Sequence, residues 1–177
     1  MKHSELNIFK ENGQKIACLT AYDASMAKLI DSAGVDIILI GDSLGMVIQG
    51  AENTRSVSMK DMLYHTEIVA KACKQALVIA DMPFHSYENA QTALANAKEL
   101  INNGANMVKL EGGSENTEVI NALVSNDINV CGHLGLQPQL VVDSSGYKVQ
   151  GRDEDSAKKI LDNAKLLESI GVSILVL

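Results

Sequence analysis

Cysteine is scarce in this chain, and its arrangement excludes two kinds of small stapled domain. Cys18, Cys73 and Cys131 are far apart, odd in number and in no CxxC pair. That pattern belongs to a reducing compartment, and to neither a disulfide scaffold nor a zinc ribbon. Positive charge is short as well: 15 Lys and Arg face 22 Asp and Glu, a net charge of −7, which opposes the backbone electrostatics of nucleic-acid binding. No apolar run approaches a membrane span, and Met1-Lys2-His3-Ser4-Glu5 lacks the apolar core of a signal peptide. The expectation is a cytoplasmic protein with no nucleic-acid and no membrane partner. Two nucleotide-binding fingerprints are also missing. The first predicted strand runs into Leu19-Thr20-Ala21-Tyr22-Asp23 without GxGxxG, and GxxxxGK[ST] occurs nowhere.

What is present is an alternation. At 177 residues and 46% hydrophobic, the chain can bury a core and reads as one domain, 1–177. Short apolar, β-branched runs predict strands at 16–20, 37–40, 77–80, 107–110, 129–132 and 173–177. Between them, helical spacing predicts helices over 23–33, 58–74, 89–103, 115–126 and 156–170. Ser58 and Ser156 read as N-caps, and Gly34, Gly104 and Gly171 as helix-ending glycines that swing the chain into the next strand.

This β/α repeat is compatible with an open doubly wound sheet or with a (β/α)8 TIM barrel. The missing glycine fingerprint favours the barrel. A complete barrel takes roughly 250 residues, so five β/α units and a sixth strand make an incomplete one with two unpaired sheet edges. Such edges invite aggregation unless more chain or a partner covers them.

Barrel enzymes place their chemistry at the C-terminal ends of the strands. Those ends read Gly41-Asp42-Ser43, Asp81-Met82-Pro83, Glu111-Gly112-Gly113 and His133-Leu134-Gly135. Singly, Asp42, Asp81 and Glu111 are ordinary loop or capping acids. At three successive strand ends they would repel one another unless a cation sits among them. An all-oxygen set favours magnesium over zinc, with manganese as a substitute. Lys109 lies two residues before Glu111 and shares its face; it either neutralises the acids or receives the carboxylate of a small substrate. His133 falls at the same mouth. His3, His65 and His85 read as non-catalytic. Glu111-Gly112-Gly113-Ser114 is either an anion cradle or a tight strand-to-helix turn.

Six segments make the sequence resemble a known family: Leu19-Thr20-Ala21-Tyr22-Asp23, Gly41-Asp42-Ser43-Leu44-Gly45-Met46, Ala80-Asp81-Met82-Pro83-Phe84, Met107-Val108-Lys109-Leu110-Glu111-Gly112-Gly113, Cys131-Gly132-His133-Leu134-Gly135-Leu136 and Gly146-Tyr147-Lys148-Val149-Gln150-Gly151-Arg152. In this order they resemble the ketopantoate hydroxymethyltransferases. The resemblance implies a TIM-barrel transferase of pantothenate biosynthesis, on the coenzyme A pathway. It implies transfer of a one-carbon unit from 5,10-methylenetetrahydrofolate to 3-methyl-2-oxobutanoate, giving 2-dehydropantoate through a magnesium-stabilised enolate. By the same resemblance, Asp42, Asp81 and Glu111 hold Mg2+, while Asp42, Ser43, Asp81 and Lys109 hold the 2-oxo acid. His133 takes a supporting catalytic part, and the protein is a homo-oligomer. The family's general base follows the strand that ends here at Leu177, so a chain stopping there is expected to be inactive. Ser145 and Arg55-Ser56 depart from the family pattern in loops, where they affect loop shape, and His85 is also unusual. Two other readings remain: a different magnesium-dependent 2-oxo-acid carboligase or lyase, and a non-catalytic remnant acting as an assembly partner.

Overall fold

The computed structural model describes residues 3–141 and 147–177, with the side chains of His3 and Ser4 left aside. Ser145 and Gly146 therefore lie outside the described residues. Six parallel strands form one sheet: β1 Cys18–Thr20, β2 Ile37–Ile40, β3 Leu77–Asp81, β4 Met107–Glu111, β5 Val130–His133 and β6 Ile174–Val176. Helix α1 (His3–Glu11) precedes β1. The crossovers carry α2 (Ala24–Ser32), α3 (Leu44–Val47) with α4 (Met59–Ala72), α5 (Ala90–Asn102), α6 (Thr117–Val124) and α7 (Glu154–Ser169) in turn.

Strand order separates the two architectures. A doubly wound sheet reverses its winding at a switch point, which puts the first strand inside the sheet. Here the order is β1-β2-β3-β4-β5-β6 with no reversal, so each crossover adds the next strand on the same side. This is barrel winding, stopped at six strands. Among the described residues β1 pairs only with β2 and β6 only with β5. Leu19 at 51% and Leu177 at 74% exposure mark the two open margins.

The predicted strands all form, and so do the predicted helices. Gly34, Gly104 and Gly171 have φ of +83°, +103° and +93°, the left-handed conformation that closes a helix cheaply only at glycine. Ser58 caps α4 in a reciprocal pair with Asp61. The expectation for Ser156 is corrected: Asp153 is the N-cap of α7 and Ser156 its partner in the capping box, because Asp153 is the extended residue before the first turn and its carboxylate accepts the free Ser156 amide. α1 and α3 were not predicted. α3 spans four residues, too short for helical periodicity to register.

Side-chain alternation splits the core into two layers. Ile38, Ile40, Val78, Ala80, Val108, Leu110 and Val130 pack outward with the helices. Ile37, Leu77, Ile79, Met107 and Cys131 pack on the concave face, joined by Leu6 from α1. Asp81, Lys109, Glu111 and His133 have the concave parity, because they continue the same two-residue period toward the strand ends. Register aligns them across the sheet: Asp81 opposite Lys109, and Glu111 opposite His133.

Asp31, buried on α2, anchors the segment leading into β3. Its carboxylate accepts the amides of Lys74 (3.0 Å), Gln75 (3.0 Å) and Ala76 (2.8 Å). Burial pushes its carboxyl up, but the three amides outweigh burial and hold its pKa below the usual value. Asp31→Ala is expected to cost about 1–3 kcal/mol in denaturant unfolding, chiefly by stranding the buried Ala76 amide. The contribution is present above the unfolded carboxylate pKa of about 3.9 and is lost as pH falls through the lower folded value. An equal loss at pH 7 and pH 2 would contradict this account.

Candidate active site

Four consecutive strand ends deliver the candidate residues to one mouth. Gly41 opens the turn after β2; a Cβ there would stand 2.8 Å from Ser43 Oγ and 3.5 Å from Asp81 Oδ2. Glycine thus lets the Asp42-Ser43 backbone close on β3. The Asp42 amide donates to Asp81 Oδ2 at 3.0 Å. Ser43 Oγ lies 2.6 Å from the Tyr22 hydroxyl, and Tyr22 is itself held through its carbonyl by His65 Nδ1 at 2.7 Å. His65 thus braces the Tyr22 backbone beside Ser43. The Glu111-Gly112-Gly113-Ser114 segment is a tight turn, closed by Asn116 Nδ2 donating to the Glu111 carbonyl at 2.8 Å.

Asp42, Asp81, Lys109 and Glu111 are all 5% exposed or less. Lys109 Nζ stands 3.0 Å from Asp81 Oδ1. The two form a buried ion pair, with Lys109 as the partner of Asp81 Oδ1. Burial, the Asp81 carboxylate and, more weakly, Glu111 push Asp42 up to about 7, against Gln139 and Lys109 pulling it down. Burial also raises Asp81, against the pull of Lys109. For Lys109, burial works downward, and the carboxylates of Asp81, Glu111 and Asp42 more than offset it, so its pKa is raised. The lysine stays charged among acids that resist ionising together.

His133 Nδ1 lies 3.1 Å from Glu111 Oε1 and 3.4 Å from Lys109 Nζ. Lysine can only donate and an ionised carboxylate only accept, so one ring nitrogen cannot serve both. The shorter contact assigns Nδ1–H to Glu111. His133 thereby orients that carboxylate.

Sequence reasoning missed three residues here. Gln139 is 2% exposed. Its Nε2 donates to Asp42 Oδ2 at 2.7 Å, and its backbone amide donates to Glu111 Oε2 at 3.0 Å. The Tyr87 hydroxyl donates to Gln139 Oε1, and Arg55 Nη1 donates to the Gln139 carbonyl at 2.8 Å. Arg55, expected to affect only loop shape, thus reaches the layer behind the acids. No motif spacing ties these positions to the strand ends; Gln139 is 97 residues from Asp42. His85 pairs with Glu88 at 2.5 Å and lines a cavity of about 220 Å³ beside Glu111.

The residues fit a hard divalent cation. The donor atoms are all oxygen, and the buried Asp42 and Asp81 carboxyls lie near enough for the Asp81 charge to raise Asp42. Among the described residues no group of three or more His, Cys, Asp or Glu side chains is placed to hold a metal ion. Asp42 and Asp81 are in direct contact, whereas Glu111 joins them through Gln139. An open set suits magnesium, which usually keeps several waters beside one or two protein carboxylates.

The fold defines the class. A phosphonopyruvate hydrolase solved with oxalate and Mg++ is similar at TM-score 0.74 and 16% identity, over 99% of this chain and 62% of that one. A 2,3-dimethylmalate lyase of the PEP mutase/isocitrate lyase superfamily is similar at TM-score 0.69, again at 16% identity, over 98% of this chain and 62% of that one. The architecture they share with this chain is the α/β barrel.

Within that class the sequence is specific: residues 1–177 match the ketopantoate hydroxymethyltransferase family, and the chain belongs to it. The 3-methyl-2-oxobutanoate hydroxymethyltransferases of Vesicomyosocius okutanii and Ruthia magnifica are each 58% identical over 177 residues, all of this chain and 68% of the relative. That of Colwellia psychrerythraea is 54% identical over 168 residues, 95% of this chain and 64% of the relative. The chain thus spans about two thirds of the length of these relatives, which are transferases by name. Among the described residues no helix is long and apolar enough to cross a membrane.

Asp42→Asn tests the crowding of charge. With the folded pKa near 7, the native state retains a proton that the unfolded chain gives up near pH 4, so stability falls as pH rises from about 4 to about 7. The variant should be more stable than the metal-free parent by on the order of 2 kcal/mol at pH 8, and nearly equal to it at pH 4. A destabilised variant at pH 8 would contradict the raised pKa.

Proposed function

We propose that this chain supplies the metal and 2-oxo-acid site of a 3-methyl-2-oxobutanoate hydroxymethyltransferase, which makes 2-dehydropantoate with 5,10-methylenetetrahydrofolate as the one-carbon donor. The observation that carries this reading is the gathering of Asp42, Asp81, Glu111 and Lys109 at one mouth of the sheet, at successive strand ends. In this reading Asp42, Asp81 and Glu111 hold Mg2+. Magnesium there would polarise the 2-oxo group and offset negative charge as the adjacent carbon loses its proton.

The chain's own residues supply binding and orientation. The Lys109 ammonium, held charged by the acids, receives the substrate carboxylate. Ser43, fixed by Tyr22, offers a hydroxyl to the same group. His133 keeps Glu111 oriented. Lys109 is charged and cannot abstract a proton, and His133 acts here through Nδ1–H, which holds Glu111. A positioned base contributes on the order of 10²- to 10⁴-fold, and family resemblance puts it directly after Leu177.

The intact protein should form 2-dehydropantoate only with both Mg2+ and 5,10-methylenetetrahydrofolate. Lys109→Met should lower kcat/KM by about 10²-fold or more. Folate-independent product would favour a different 2-oxo-acid carboligase or lyase. A polypeptide of residues 1–177 and nothing more should bind Mg2+ without turnover; turnover at the rate of the intact protein would overturn the assignment of the base.

A further inference from the structure

We propose that Gln139 is a positioning residue of this site: a tethered amide that ties Asp42 to Glu111 and fixes which of their oxygens remain for a cation. The inference rests on the proposed reading of those two acids as ligands and deepens it.

Gln139 follows Pro138 in a short 3-10 turn, Pro138–Leu140, after β5. Each of its hydrogen-bonding groups has a partner. The backbone amide donates to Glu111 Oε2, and the backbone carbonyl accepts from Arg55. Nε2 uses its two protons on Asp42 Oδ2 and on the Met82 carbonyl, the latter at 3.0 Å. A carbonyl oxygen only accepts, so the Met82 contact fixes which way the side-chain amide faces and makes Tyr87 the donor to Oε1.

An ordinary buried glutamine satisfies itself on nearby backbone. This one spans two carboxylates from different strand ends, and its own partners are braced behind it: the Arg55 guanidinium lies 3.8 Å over the Phe84 ring. The result is geometric. Asp42 Oδ2 and Glu111 Oε2 are taken, so Asp42 Oδ1 is left for a cation, with Glu111 Oε1 shared with His133. Groups that hydrogen-bond to metal ligands commonly set affinity within 10- to 100-fold. Gln139 meets that description twice, with its side chain and with its backbone.

The test measures Mn2+ affinity by titration, together with the metal-free melting temperature, on the intact protein and its variants. Gln139→Met keeps the volume and removes the side-chain bonds. It should bind Mn2+ about 10- to 100-fold more weakly. Tyr87→Phe should weaken binding less, and the double variant should be no worse than Gln139→Met alone, because both act through one amide. Wild-type affinity in Gln139→Met, with binding lost in Asp42→Asn, would overturn the role of Gln139 alone. Wild-type affinity in Asp42→Asn would instead remove the ligand reading beneath it. Should Gln139→Met fail to fold, Tyr87→Phe decides, and unchanged affinity there would overturn the proposal.

Discussion

Three carboxylates buried at one barrel mouth must be met by positive charge or by hydrogen donors, and the mouth is arranged around that requirement. Lys109 supplies the charge from the same concave face. The Asp42 amide, the Gln139 amides and His133 supply the donors. The compensation is incomplete, because Asp42 and Asp81 remain hard to ionise. A folded protein that leaves such a deficit at the C-terminal end of a parallel barrel has room for a cation, and spends some stability to keep it.

The sheet makes this possible at little cost elsewhere. Its alternation sends every second residue outward to the helices, where a continuous apolar layer provides the main core. The concave residues are apolar toward the N-terminal ends of the strands and ionisable toward the C-terminal ends. One strand, β4, carries that gradient within five residues: Met107 is core, Lys109 is the counter-charge and Glu111 is at the rim. The bottom of the barrel is held differently, by Asp31 accepting three amides in the segment before β3. Acids thus do opposite work at the two ends, satisfied at one and crowded at the other.

How much was legible beforehand follows from what each feature depends on. Strand positions and helix-ending glycines are local, so Asp42, Asp81, Glu111 and His133 could be placed at the strand ends, and Lys109 on the face of Glu111, from sequence spacing. The choice between barrel and doubly wound sheet required strand order, which periodicity does not encode. Gln139, Tyr87 and Arg55 reach the acids from loops separated by tens of residues, and nothing in their neighbourhoods distinguishes them from other polar loop residues. Ser156 was assigned the wrong cap because Asp153 and Ser156 are both good capping residues in one reciprocal motif. The six motifs identified the family; the structure adds the layer that holds their side chains in place.

The most direct test of a joint metal and 2-oxo-acid site is calorimetric titration of 3-methyl-2-oxobutanoate into the intact protein, with and without Mg2+. If the acids and Lys109 form one site, binding should tighten at least tenfold with Mg2+, and the substrate should raise Mg2+ affinity by the same factor. Equal affinity in the two titrations would contradict the account, leaving the buried charges at the barrel mouth as structure alone.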